Sequence, residues 1–392
     1  MKIAMVSAHA CPLDEASHVA RLSAALCRYG HHVTVYTRRN DPDVPGRLRT
    51  ERGYEVVHVP AGPATPLTDE DALPHMGAFI SFLLQEWAAS PPDVVHGHRW
   101  MSGMAGVLGG RRVRVPVVQT FHSLAAVERR HRVGDTGPEE RDRIETLVGR
   151  EAAHVAAVSQ DEMAELIRAG VDRAKISVIP TGVDVDTFTP EGARTQRGGL
   201  YRVVTTAPLL PYRDIETVIT ALSNVDGAEL VVAGLPESGR PKDDPEVAKL
   251  REHAEHLGAG DRVVFVGAVA HSAMPALLRS ADAAVCAPSY EPSGAVALEA
   301  MACGVPVVAT AAGALADVVV NGVTGLLVPP VEPESLARAL RSLLQDDTLR
   351  NQFAVAGRDR VTARYSWSRV AADALRVYTR LAATAGPAFE AQ

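Results

Sequence analysis

Short apolar runs alternate along the chain with longer amphipathic stretches. The apolar runs of the first half are KIAMVSA (2–8), HVTVYT (32–37), YEVVHVP (54–60), DVVHGH (93–98), VPVVQTFH (115–122), HVAAVS (154–159) and KISVIP (175–180). Their nearly unbroken Val and Ile content predicts strands covered on both faces, as in a parallel sheet. Helical spacing falls between them, notably over 17–29, 70–88 and 139–153. This alternation predicts a doubly wound α/β domain.

The pattern stops at TGVDVDTFTPEGARTQRGG (181–199), a polar stretch with Gly and Pro that reads as a linker. It then restarts with YRVVTTA (201–207), AELVVAG (228–234), DRVVFVG (261–267), DAAVCAP (282–288), VPVVAT (305–310) and TGLLVPP (324–330). Helical patterns lie at 214–223, 245–257 and 295–303, and three more close the chain at 334–345, 348–363 and 367–384. The expected fold class is therefore α/β, with two Rossmann-like domains whose parallel sheets face a cleft. The expected domains are 1–185 and 186–366, with a closing helix in 367–392. Ligands of such sheets bind beyond the carboxyl ends of the strands.

Composition narrows the class. A length of 392 residues argues for two domains, and 46% apolar residues suffice for two cores. A net charge of -7 argues against nucleic acid as a partner. Cys11, Cys27, Cys286 and Cys303 are scattered without a CxxC pair, so reduced thiols and a cytoplasmic location are expected. No apolar run reaches the roughly 18 residues of a spanning helix, so no transmembrane segment is expected. The apolar N-terminal stretch is short and is followed by Asp14 and Glu15, which fits a buried first strand better than a leader. The 70–88 segment carries acidic residues among Phe79, Ile80, Phe82, Leu83 and Leu84, and reads as core-packing rather than membrane-binding.

The stretch SYEPSGAVALEAMACGVPVVAT (289–310) holds two carboxylates, Glu291 and Glu299, among small and apolar residues. It follows a strand, so SYEPSG reads as a strand-to-helix loop and AVALEAMAC as a short helix. The backbone N–H groups around Ser293, Gly294 and Ala295 would then form a helix N-terminus suited to an anion. Carboxylates beside it can accept hydrogen bonds from sugar or ribose hydroxyls. The plain reading of the same residues is a solvated acidic pair at a helix start.

With its loop, helix and following strand, the segment resembles the E-x7-E signature of retaining glycosyltransferases of the GT-B fold (group 1, or family 4). The likeness spans nearly the whole chain, including GHHVTVYTR, DVVHGHRWMSG, VVQTFHSL, AAVSQDE, IPTGVDVDTFTP and RYSW. PDVVHGHRWMSG and TFHSLAAV carry a nearer likeness to the subgroup holding sucrose-phosphate synthase and the mycothiol-pathway glucosaminyltransferase. The resemblance implies a hexosyltransferase that uses a nucleotide-diphosphate sugar and a small, phosphorylated or lipid-linked acceptor. Glu299 would hold the ribose. Glu291, Ser293, Gly294 and Ala295 would hold the donor sugar, and His122 would contact it near the reacting carbon. No cofactor or metal is implied, and a homodimer is left open.

Two departures stand out. Where the family has an Arg and, five residues on, a Lys to grip the diphosphate, this chain has Pro208 and Arg213. Arg213 keeps one cation for catalysis and donor binding; the other contact, about 1.5–3 kcal/mol, is missing. Glu15 and Ala16 stand where a Gly-Gly pair is common. These departures motivate an alternative, a catalytically reduced relative that binds a ligand or partner. A phosphorylase is disfavoured because none of the chain's lysines falls at a suitable loop.

Other signals are weaker. His9, Glu15 and His98 are acceptor-side candidates by their strand-end positions. Arg129, Arg130, His131 and Arg132 are either an exposed loop or a clamp for an acceptor phosphate. His96 and His98 form an H-x-H pair, but no third ligand is evident nearby, so no metal site is expected.

Overall fold

The computed structural model describes residues 1–8, 17–131, 137–206, 215–234 and 240–385. The chain divides into two compact units. The first contains the described residues of Met1–Arg129, Asp135–Pro180 and Trp367–Gln392; the second contains those of Thr181–Ser366, with Arg130 and His131.

The described strands of the first unit are β1 (Lys2–Val6), β2 (His32–Arg38), β3 (Arg47–Arg49), β4 (Glu55–Val59), β5 (Val94–His98), β6 (Val117–Thr120), β7 (His154–Ala157) and β8 (Ile176–Val178). Their order across the sheet is β3-β4-β2-β1-β5-β6-β7-β8. All pairings are parallel except β3 against β4. The sequence pattern missed β3, which is three residues long and polar on its exposed side. The chain winds from β1 outward to β2, then returns to place β5 on the other side of β1. That reversal creates a switch point at the carboxyl ends of β1 and β5.

One face of this sheet is covered by helices His18–Arg28 and Trp367–Ala385. The second of these buries Trp367, Val370, Ala371, Ala374, Val377 and Tyr378. That spacing is one stripe of a 3.6-residue period, so the helix has a single apolar face to bury. The expected 70–88 helix is interrupted. A turn at Asp69–Ala72 leads through a 3-10 segment, Leu73–His75, into the helix Met76–Ala89. Pro74 lies in the interruption, where it lacks an N–H for an uninterrupted α-helical ladder.

The second unit holds β9 (Tyr201–Thr206), β10 (Ala228–Ala233), β11 (Val263–Gly267), β12 (Ala283–Cys286), β13 (Val307–Thr310) and β14 (Gly325–Val328). The order is β11-β10-β9-β12-β13-β14, parallel throughout. Alternate residues feed two cores. Leu230 and Val232 of β10 join one, and Val231 and Ala233 join the other. Burial on both faces is why these strands read as continuous apolar runs. Each fully buried Val or Leu contributes about 1.5–3 kcal/mol. Edge strand β11 is one-sided, with Val264 and Val266 exposed. Among the described residues no helix is long and apolar enough to cross a membrane.

Candidate functional site

In the second unit Glu291 and Glu299 lie at the carboxyl edge of the sheet. The loop after β12 leads into the helix Ala295–Ala302, with Gly294 at its N-cap. Gly294 has a φ of 67°, a left-handed conformation that favours glycine. Glu291 is buried in this loop. Its Oε1 accepts hydrogen bonds from the Ser293 N–H (3.1 Å), the Ser293 hydroxyl (2.9 Å) and the Gly294 N–H (3.2 Å). The Ala295 N–H is given to Ser293 Oγ at 3.3 Å. The helix start is thus capped from within its own loop, and the Glu291 carboxylate is fixed by it.

A second contact pins the loop from outside. The Ala314 N–H donates to the Glu291 carbonyl at 2.8 Å. Neighbouring Gly313 has a φ of 52°, and a Cβ there would lie 2.2 Å from the same carbonyl oxygen. A pocket opens beside the loop, lined by Thr205, Thr206, Cys286, Pro288, Glu291 and Gly294. Glu299 lies on the helix and is partly exposed, with Oε1 3.9 Å from His271 Nδ1. The His271 ring leans on Phe188 at 5.2 Å. The sequence reading missed His271, although its place shortly after β11 puts it at the same sheet edge.

In the first unit three imidazoles meet at the switch point. His98 ends β5, His122 follows β6, and His18 opens the helix after β1. His98 Nδ1 and His122 Nε2 are 3.0 Å apart, and their rings stack. His18 meets the edge of His122 at 4.7 Å and that of Trp367 at 5.1 Å. His122 has a φ of 66°, uncommon for a residue with a side chain. Arg99, at the end of adjacent β5, has one of 67°. Such conformations gather at functional positions.

Electrostatics keep this cluster neutral. Burial lowers the His18 pKa to about 4. Burial, then neighbouring imidazoles, hold His98 well below the ordinary value. His122 is held well below it by burial, then by His18, Arg99 and His96. His96 faces elsewhere, with Nδ1 2.6 Å from the Tyr378 hydroxyl and Nε2 2.9 Å from Thr120 Oγ1.

Past His122 the chain is tied down by a buried ion-pair network. Arg141 Nε donates to Glu145 Oε1, and its NH1 to Glu128 Oε2, each at 2.7 Å. Glu145 Oε2 in turn accepts the Ala125 N–H at 3.0 Å. The basic run begins on the short helix Ala125–Arg130, which the sequence pattern had not assigned. Arg129 pairs with Asp142, and Arg130 is exposed at the helix end. His98 is 1% exposed, so it can act on a ligand only through a neighbour such as His122. His9, Glu15, Ala16, Arg132, Pro208 and Arg213 lie outside the described residues.

Two doubly wound units, each with candidate site residues at the carboxyl edge of a largely parallel sheet, make up a GT-B fold. Residues 194–360 match the family "Glycosyl transferases group 1", and residues 16–187 match "Glycosyltransferase Family 4". A D-inositol 3-phosphate glycosyltransferase of Xylanimonas cellulosilytica is 35% identical over 97% of this chain and 96% of the relative. Another of that name, from Geodermatophilus obscurus, is 33% identical over 97% of this chain and 90% of its own. Among solved structures, sucrose-phosphate synthase from Thermosynechococcus elongatus superposes with a TM-score of 0.84. That match has 27% identity over 98% of this chain and 99% of that one. The chain belongs to the group 1 glycosyltransferases of the GT-B fold, and it is a glycosyltransferase enzyme.

Proposed function

We propose that this enzyme moves a hexose from a nucleotide-diphosphate sugar to a small phosphorylated acceptor, with retention at the anomeric carbon. The observation that carries the reading is the Glu291–Glu299 pair, set in a loop and helix at the carboxyl edge of the second sheet. Glu291 is held by three hydrogen bonds before any ligand arrives, and a pre-fixed carboxylate contributes most where charge or hydroxyls must be oriented. We assign Glu291, Ser293, Gly294 and Ala295 to the sugar, and Glu299 to the ribose. His122 is assigned to the sugar near its reacting carbon. Its low pKa would leave it a neutral hydrogen-bonding group at pH 7 rather than a cation.

Arg213 is the cation assigned to the departing diphosphate, and no metal or organic cofactor is assigned to the transfer. Retention would follow from departure of the diphosphate on the face from which the acceptor attacks. The relatives act, by name, on D-inositol 3-phosphate, a phosphorylated polyol. That supports an acceptor of this kind over a lipid-linked one. Free Cys27, Cys286 and Cys303 fit a reducing, cytoplasmic location.

The test is calorimetry with a panel of nucleotide sugars against wild type and Glu299→Ala. Losing hydrogen bonds to a carboxylate is worth about 1.5–3 kcal/mol, so the variant should bind roughly tenfold to a hundredfold more weakly. Equal affinity would remove the ribose assignment and the reading with it.

A further inference from the structure

We propose that His18, His98 and His122 form a three-imidazole site for one divalent transition-metal ion, of which Zn2+ is the type, and that occupancy blocks sugar transfer. One ring nitrogen from each of the three lies within 4.8 Å of the others. The H-x-H pair in the sequence points to the wrong partner. Both nitrogens of His96 are engaged by Tyr378 and Thr120, whereas His98 meets His122 beyond β6 and His18 at a helix start.

A second observation is independent of that spacing. Among the described residues, His98 Nε2 and His18 Nδ1 are buried with no hydrogen-bond partner. His98 is 1% exposed, so water does not satisfy its orphan nitrogen readily. A buried polar atom left unpaired costs about 1–3 kcal/mol, and a retained one calls for an explanation. A bound metal ion would supply that partner, because an unprotonated imidazole nitrogen that meets no proton donor is free to ligate.

The donor set defines the ion. Nitrogen ligands without a carboxylate suit Zn2+, Co2+, Ni2+ or Cu2+, and not Mg2+ or Ca2+. Three histidines leave the fourth tetrahedral position for water or an anion. Zn–N bonds of about 2.0–2.1 Å require nitrogens about 3.3 Å apart. Closure therefore asks for side-chain rotations, which partly exposed His18 and His122 can make around the fixed His98.

The blocking half rests on the role proposed for His122 at the donor sugar. A ring nitrogen committed to a metal cannot contact that sugar, so the ion inhibits rather than assists.

The experiment starts from chelator-treated, full-length protein titrated with Co2+ while visible absorption is recorded. The expected result is one Co2+ per chain with intense tetrahedral d–d bands, bleached by Zn2+ and unaffected by Mg2+. His18→Ala should weaken Co2+ binding by at least about tenfold. His18→Phe, which keeps an aromatic ring against Trp367, should do the same without loss of fold by circular dichroism. His154→Ala, a buried histidine outside the triad, should bind as wild type does. Absence of the bands, or unchanged affinity in both His18 variants, overturns the site. In a transfer assay Zn2+ should inhibit wild type, reversibly with chelator, and inhibit His18→Phe more weakly. Binding without inhibition overturns the blocking half. A chain that transfers no sugar in metal-free buffer counts against the transferase substrates proposed above, because the absorption titration needs no turnover.

Discussion

Single residues carry most of the chemistry, and some of it is paid for in burial. Glu162 is a case outside the catalytic groups. It stands three residues after Ser159, whose hydroxyl accepts the Glu162 N–H at 3.1 Å. This is the S-x-x-E pattern of a helix start, except that Glu162 Oε2 takes the Val158 N–H, at 2.6 Å. Burial pushes the Glu162 pKa up to about 7. Between the ordinary carboxyl value and that one, the folded chain holds a proton that the unfolded chain has released. Its contribution is therefore present in full at low pH and is lost as pH rises toward 7, by about 3 kcal/mol in all. Glu162→Gln removes that dependence. Urea unfolding at pH 5 and pH 8 should show the variant gaining on wild type at the higher pH. A difference between the two proteins that is the same at both pH values would contradict this.

Elements place those residues, and here the sequence was read unevenly. The central strands of both sheets were legible because burial on both faces writes a local signature, as in Leu230–Ala233, whereas polar β3 carries none. The placement of Glu291 and Glu299 was legible for a different local reason: one loop and one helix, adjacent in sequence, hold both. The histidine triad was not. His18, His98 and His122 meet only because β5 and β6 lie in order beside β1, and sheet order is not written in local periodicity. Nor was Gly313, whose need for glycine comes from the Glu291 carbonyl, more than 20 residues away in sequence. Gly313→Ala tests how the two loops depend on each other. The clash and the strained φ should cost about 1–3 kcal/mol of stability. The displaced Glu291 should also weaken donor binding. A variant with wild-type melting temperature and donor affinity would show that the contact does not position the loop.

At the scale of the whole molecule, the two units are threaded differently. Apart from Arg130 and His131, the second is one continuous run, Thr181–Ser366, with both of its cores supplied from within. A fragment of those residues should fold alone, with cooperative thermal unfolding and dispersed amide signals in NMR. A fragment of residues 1–180 should not, because Val370, Ala371, Ala374 and Tyr378 of the last helix complete its core. Cooperative unfolding of the shorter piece would refute that division. The same threading sets a timetable during synthesis. The ribosome makes the first sheet early, yet delivers the helix that covers it only after the entire second unit has emerged. For that interval a nascent apolar groove waits uncovered, and chaperone capture or aggregation should concentrate on the half of the protein that was made first.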